Sequence, residues 1–350
     1  VVVTEYYTVD KEHPDITVLE RGAVVLRRGR LVAFPTETVY GLGANGLDER
    51  AVGGIYEAKG RPSDNPLILH IADKREVEKL AREIPANAAA LMDAFWPGPL
   101  TLVLKRTPAV PDVVTGGLDT VAIRLPASPV ARELIRLAGI PVAAPSANTS
   151  GRPSPTTAGD VLNDLDGKIE VIIDAGPCDI GVESTVIDCT TPVPTLLRPG
   201  GVTLEQLMAV LGEVEVDPGL AGRKDVVPRS PGMKYRHYAP NAPLILLEGN
   251  PGRIRENLQE KIKLALEAGQ KVGAVVSQEM AGALPAGIVT AIYGSRRDPG
   301  EAAAGLYTAL RHFDSHPVDI IYAEGIEEQG LGLAVMNRLR KASGYRILTV

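Results

Sequence analysis

Residues 227–240, Val-Pro-Arg-Ser-Pro-Gly-Met-Lys-Tyr-Arg-His-Tyr-Ala-Pro, contain three prolines and follow neither the helical nor the strand period of apolar residues. Proline removes a backbone donor and breaks helix interiors and central strands, so no continuous element runs through this point. The composition suits a stiff, ordered connector better than a flexible Gly/Ser tether. Charge divides at the same place: residues 1–220 carry a net −10, residues 221–240 a net +4, and residues 241–350 none. The 350 residues fit about two domains of roughly 100–200 residues each. The expected division is 1–212 for the first domain, 213–240 for an ordered linker or lid, and 241–350 for the second.

On both sides of the connector, short apolar runs alternate with helical periodicity, which indicates α/β architecture. Strands are expected at Leu31–Phe34, Pro66–Ile71, Leu100–Leu104, Thr120–Leu125, Ile140–Ala144, Val171–Asp174 and Thr185–Asp188. Helices are expected at Asp48–Ala58, in two stretches between Asp73 and Phe95, and at Pro129–Ala138 and Thr203–Leu211. Residues 185–188 and 195–198 resemble a hairpin, so the first sheet should be mixed. After the connector, Leu244–Leu247, Val272–Val276 and Val318–Tyr322 read as strands. Pro251 follows the cap Asn250, and Ile254, Leu258 and Ile262 recur at a spacing of four. Helices over Asp298–Phe313, with Asp298 and Glu301 as a capping pair, and over Leu333–Leu339 complete a three-layer, Rossmann-like unit.

Composition removes several classes. Charged residues at 23% and hydrophobic residues at 45% are ordinary globular usage. The 36 glycines and 28 prolines have no period, so they mark tight turns and shaped loops. No apolar run reaches the ~18–20 residues of a membrane span. Val1–Tyr6 lacks the basic start and apolar core of a signal peptide, so a cytoplasmic location is expected. Two cysteines, Cys178 and Cys189, cannot build a disulfide framework or a four-thiolate zinc site, and are expected to be plain thiols. A dedicated nucleic-acid binder carries a basic face and a high pI, whereas this chain is acidic.

Four loops carry chemistry. Pro35–Thr36–Glu37–Thr38–Val39–Tyr40–Gly41 sets two hydroxyls and a carboxylate at a strand's carboxyl end, where α/β sheets meet ligands; a capped, solvated turn is the other reading. Gly41–Gly46 matches G-x-G-x-x-G, but six residues separate it from the preceding strand, so a turn-forming loop is favoured over a dinucleotide fingerprint. Lys59 and Arg61 flank a glycine, and can meet one ligand only in an extended loop. There a lysine point charge beside a planar arginine fork suits phosphate oxygens, while a basic helix C-terminus complementing its dipole is the alternative. Both are expected to be exposed loop charges whose removal costs little stability. Ser146 and Asn148, after the strand Ile140–Ala144, face the same way if extended. His70 alternates with apolar neighbours, as a structural histidine would. His312 and His316 have the spacing of a metal pair but lack an obvious third ligand. No P-loop string occurs.

Taken together, Pro35–Leu42, the K-x-R of Lys59 and Arg61 with Asn65–Pro66–Leu67, and the S-x-N of Ser146 and Asn148 resemble the YrdC-like family, whose hallmark is that K-x-R and S-x-N pair. Ser230–Pro240 and the second α/β domain resemble the long form of that family, the threonylcarbamoyl-AMP synthases, so the resemblance spans essentially the whole chain. It implies a twisted, open, mixed α/β sheet with a concave pocket, plus a smaller Rossmann-like domain. It also implies formation of L-threonylcarbamoyladenylate and pyrophosphate from L-threonine, bicarbonate and ATP. Partner enzymes, a tRNA threonylcarbamoyl transferase complex, would then modify the adenosine beside the anticodon.

By the same resemblance, Lys59 and Arg61 are the catalytic pair, meeting phosphate and carbamate. Asn65, Thr120, Ser146, Asn148 and Ser154 contact ATP, with Arg198, Arg236 and His237. Thr36, Thr38, His70, Arg124, Ala144 and Ser184 hold threonine. Mg2+ accompanies ATP through phosphates and water, with no dedicated protein site. A monomer is expected, with no membrane binding and no stable nucleic-acid binding required. Arg236, between aromatics in the +4 block, suggests that residues 227–240 close over the nucleotide. Other readings are the carbamoyl-adenylate chemistry of hydrogenase-maturation carbamoyltransferases, whose zinc fingers two cysteines cannot build, an RNA-binding module, and a nicotinamide-dependent enzyme.

Overall fold

The computed structural model describes residues 2–221 and 237–350; Arg236 and most of the 227–240 connector lie outside the described residues. Two compact units emerge. The first holds residues 2–150, 154–179 and 183–221, and the second holds 151–153, 180–182 and 237–350.

The first unit is built on eleven strands: β1 (Glu5–Thr8), β2 (Val32–Pro35), β3 (Tyr40–Asn45), β4 (Ile68–His70), β5 (Leu100–Lys105), β6 (Thr120–Arg124), β7 (Val142–Ala143), β8 (Val171–Asp174), β9 (Thr185–Asp188), β10 (Thr195–Arg198) and β11 (Glu215–Val216). They form one mixed sheet in the order β1-β8-β2-β3-β7-β4-β6-β5-β9-β10-β11. The expected hairpin is present as antiparallel β9 and β10, and β11 adds the residues just after 212 to the sheet edge. Helices Ile16–Arg27 and Pro129–Ala138 cover the sheet: Leu19, Ala23 and Leu26 pack with Leu134 and Ile135 over Val32, Phe34 and Ile173. Each fully buried Leu, Ile, Val or Phe side chain among these contributes about 1.5–3 kcal/mol.

Gly41–Gly46 corrects the sequence expectation of a turn-forming loop. Residues 40–45 are strand β3, paired antiparallel to β2 through Phe34 and Gly41. The glycines are there for packing. A Cβ on Gly43 would lie 2.7 Å from the Phe34 ring and 2.8 Å from Val142, and one on Gly46 would lie 2.4 Å from Leu69. No phosphate cradle is formed, so the dinucleotide reading loses its motif.

The second unit carries β12 (Leu244–Glu248), β13 (Val272–Ser277), β14 (Val289–Gly294), β15 (Ile320–Glu324) and β16 (Ile347–Thr349), all parallel, in the order β14-β13-β15-β12-β16. Side chains alternate along β13. Val272, Ala274 and Val276 meet Ile254, Leu258 and Ile262 of the helix Pro251–Glu267. Gly273 lies against Phe313 of the helix Pro299–Ser315 on the opposite face. These three layers match the expected architecture, although β15 sits between β13 and β12, unlike the 3-2-1 order of the Rossmann half. Asp298 caps its helix as expected, but Glu301 accepts from Ser295 N instead of closing a capping box. Among the described residues, no helix is long and apolar enough to cross a membrane.

Candidate active site

Strand register assembles a polar row inside the first sheet. His70 on β4 lies opposite Arg124 on β6, and Arg124 lies opposite Thr101 on β5. Directly opposed residues share a face, so imidazole, guanidinium and hydroxyl span two interstrand steps, about 10 Å, on one side of the sheet. All three are buried. The row continues through hydrogen bonds: Thr101 Oγ1 is 2.7 Å from Ser184 Oγ, and Arg198 donates to the Ser184 carbonyl (2.9 Å) and hydroxyl (3.2 Å).

Arg124 is gripped from several sides. Its Nη1 donates to Thr38 Oγ1 at 3.0 Å, its Nε to the Gly98 carbonyl at 3.3 Å, and its Nη2 forms an ion pair with Glu37. Thr36 and Thr38 belong to a tight turn between β2 and β3, in which Thr36 Oγ1 donates to the Val39 carbonyl and lies 2.9 Å from Thr38 Oγ1. The 35–41 segment is therefore a buried, internally bonded turn. Burial, followed by the charge of Arg124, pushes the His70 pKa down to about 3, so the ring is neutral at physiological pH. Its Nδ1 donates to the Ile68 carbonyl. Ala144 is buried beside this row, with its N–H bonded to the Ile68 carbonyl.

A second group forms around the K-x-R loop. The helix Glu49–Lys59 is capped by Asp48 and ends on Gly60 in the left-handed region at φ 61°, which turns the chain after Lys59. The expectation of an exposed lysine is overturned. Lys59 is buried, and its Nζ donates to the carbonyls of Ser146 and Asn148, both at 2.5 Å. The helix C-terminus and the S-x-N loop are thus tied together by one ammonium group. Ser146 Oγ donates to Asn148 Oδ1, so the two side chains share a side, and Ala147 N and Leu42 N pin the loop to β3. Arg61 is half-buried, with Nη2 donating to the Pro66 carbonyl at 3.0 Å. Asn65 is buried nearby, and its Oδ1 has no hydrogen-bond partner among the described residues.

One expected residue lies farther along the sheet. Thr120 opens β6, four positions from Arg124, about 13 Å along the strand. Ser154 is buried and donates to the buried carboxylate of Glu183. His237 belongs to the second unit, where its ring stands 5.5 Å from that of Tyr238. Three polar residues in these networks went unassigned from sequence: Glu37, Thr101 and Glu183. Only strand pairing links Thr101 to Arg124, so no local signal reveals it. Glu37 lay inside a motif already singled out.

Burial pushes both Cys178 and Cys189 up to about 12, the behaviour of inert thiols. The His312 and His316 rings stack 4.1 Å apart, and no cluster of three or more metal-ligating side chains occurs among the described residues.

The first sheet and its strand-end residues define a YrdC-like catalytic unit. The sequence family of Sua5, YciO and YrdC proteins, described as Telomere recombination, matches residues 24–200, and the family described as Threonylcarbamoyl-AMP synthase, C-terminal domain, matches residues 202–344. The Threonylcarbamoyl-AMP synthase of Pyrococcus abyssi is 56% identical over 93% of this chain and 94% of its own length, and that of Bacillus subtilis is 53% identical over 94% of each. The crystal structure of P. abyssi Sua5 complexed with L-threonine covers all of both chains at 52% identity with a TM-score of 0.94. The chain belongs to the threonylcarbamoyl-AMP synthase family in its two-domain form, and its activity is that of a threonylcarbamoyl-AMP synthase.

Proposed function

We propose that the polar row binds L-threonine and that the K-x-R and S-x-N loops bind ATP, so that the carbamate of threonine attacks the α-phosphate and pyrophosphate leaves. One observation carries this reading: Arg124 is buried with hydroxyls and a neutral imidazole around it, an arrangement suited to an amino acid's carboxylate and side-chain hydroxyl. The P. abyssi relative bound to L-threonine supports it. Thr36, Thr38, His70, Ala144 and Ser184 complete this pocket.

Lys59, Arg61, Asn65, Thr120, Ser146, Asn148, Ser154 and Arg198 serve the nucleotide. The Oδ1 of Asn65 is an acceptor suited to an N–H of the ligand. Mg2+ enters with ATP as part of the substrate. Rate comes from positioning the carbamate in line and from cations offsetting charge on the phosphoryl oxygens. Carbamates lose CO2 in water, so the reacting groups must be shielded during turnover. The product serves tRNA N6-threonylcarbamoyladenosine formation through a separate transferase.

Pyrophosphate release from ATP, measured with each amino acid and with or without bicarbonate, tests the reading. Release should require both threonine and bicarbonate, with serine poorer by about 1–3 kcal/mol in kcat/KM for its missing methyl. Equal rates for serine and threonine would remove the shaped pocket. Lys59→Met keeps the length of the stem and removes the ammonium. It should abolish release and also lower stability by about 1–3 kcal/mol for each carbonyl left unsatisfied.

A further inference from the structure

We propose that Glu37 is a positioning and specificity-determining residue: it locks the Arg124 guanidinium and cancels its charge, so that the pocket admits a zwitterionic amino acid and refuses simple anions. This rests on the reading of Arg124 as the carboxylate-binding residue. The pair is deeply set, with side-chain exposures of 4% for Arg124 and 12% for Glu37. One Glu37 oxygen meets Arg124 Nη2, while the other accepts the backbone N–H groups of Ala127 (3.0 Å) and Ser128 (3.2 Å). The carboxylate therefore cannot swing away with its partner. It is fastened to the chain just ahead of the helix Pro129–Ala138, whose N-cap is Ser128.

The donor inventory of Arg124 shows what remains for a ligand. A guanidinium has five N–H groups. Three are spent on Gly98, Thr38 and Glu37. One on each terminal nitrogen is left without an acceptor among the described residues. Two such donors can meet a carboxylate in a bidentate fork, the geometry for which arginine is suited.

Charge decides which carboxylate or oxyanion enters. A buried arginine without Glu37 would be a net cation in a low-dielectric site, attractive to phosphate or bicarbonate and to any carboxylic acid. Paired with Glu37, it offers directed donors and no net charge. A ligand bearing both ammonium and carboxylate then loses nothing by being neutral overall, whereas a bare anion gains no Coulombic reward for its own desolvation. The neutral His70 ring adds no positive charge to this account.

The test is the steady-state kinetics of Glu37→Gln in the full-length protein, with Glu37→Asp as the charge-retaining companion and thermal melting as the folding check. Glu37→Gln should raise the threonine KM by about tenfold or more while leaving the ATP KM within about twofold. Inorganic phosphate should then inhibit competitively against threonine, which it should not do in the native protein. Glu37→Asp should restore resistance to phosphate even where its shorter reach leaves the threonine KM raised. Equal rises in both KM values, or phosphate inhibition unchanged from native, would overturn the proposal. Should Glu37→Gln melt early, Glu37→Asp decides it alone: phosphate inhibition competitive with threonine despite the retained carboxylate would overturn the proposal. Native protein that releases pyrophosphate without threonine would instead overturn the pocket assignment beneath it.

Discussion

His70 illustrates how a single buried side chain links the site to stability. Its folded pKa of about 3 lies below the ordinary histidine value, because burial and then Arg124 disfavour the charged ring. Between those two values the unfolded chain binds a proton that the folded chain refuses, so acidification through this window destabilises the fold, and pH above it has no such effect. Each pH unit should cost about 1.4 kcal/mol from this group alone. Urea unfolding of His70→Asn between pH 4.5 and 6 should accordingly show a slope shallower by about one proton. An unchanged slope would mean that the ring is already charged in the folded state. Lys59 makes the complementary point: a residue that reads as an exposed loop cation is, in the fold, the buried clasp between a helix end and the S-x-N loop.

Elements explain which parts of the architecture could be read beforehand. Helices with strong apolar periods and caps were legible: Pro129–Ala138 over its expected bounds, Glu49–Lys59 behind Asp48 to within a residue, and the start of Pro251–Glu267 behind Asn250. The strand β3 was not, because Gly41, Gly43 and Gly46 erase the alternation that marks a strand, and the reason for those glycines lies in other elements. Gly43→Ala tests that reason. A methyl group pressed between Phe34 and Val142 should destabilise the protein by about 1–3 kcal/mol, visible as an earlier chemical-unfolding midpoint. A neutral outcome would show that β2 and β7 can part to admit it. Site motifs were legible as strings, whereas the row His70–Arg124–Thr101 exists only through strand pairing across residues 70 to 124, which no local pattern encodes.

At the scale of the molecule, a formal net charge of −6 and a sequence pI near 5.5 disfavour long-range attraction of a polyanion. Bulk tRNA should therefore not be retained in a mobility-shift titration at about 0.15 M salt, and a shifted band that fades as salt rises would instead reveal a phosphate-binding surface. The end of the large sheet bears on behaviour at high concentration. Strand β11 has only two residues, both exposed, one of them Glu215. A long, flat edge invites a second chain to add itself by backbone pairing; a brief, charged one offers almost no template. An eleven-stranded sheet that stops in this way carries at that margin its own barrier to aggregation.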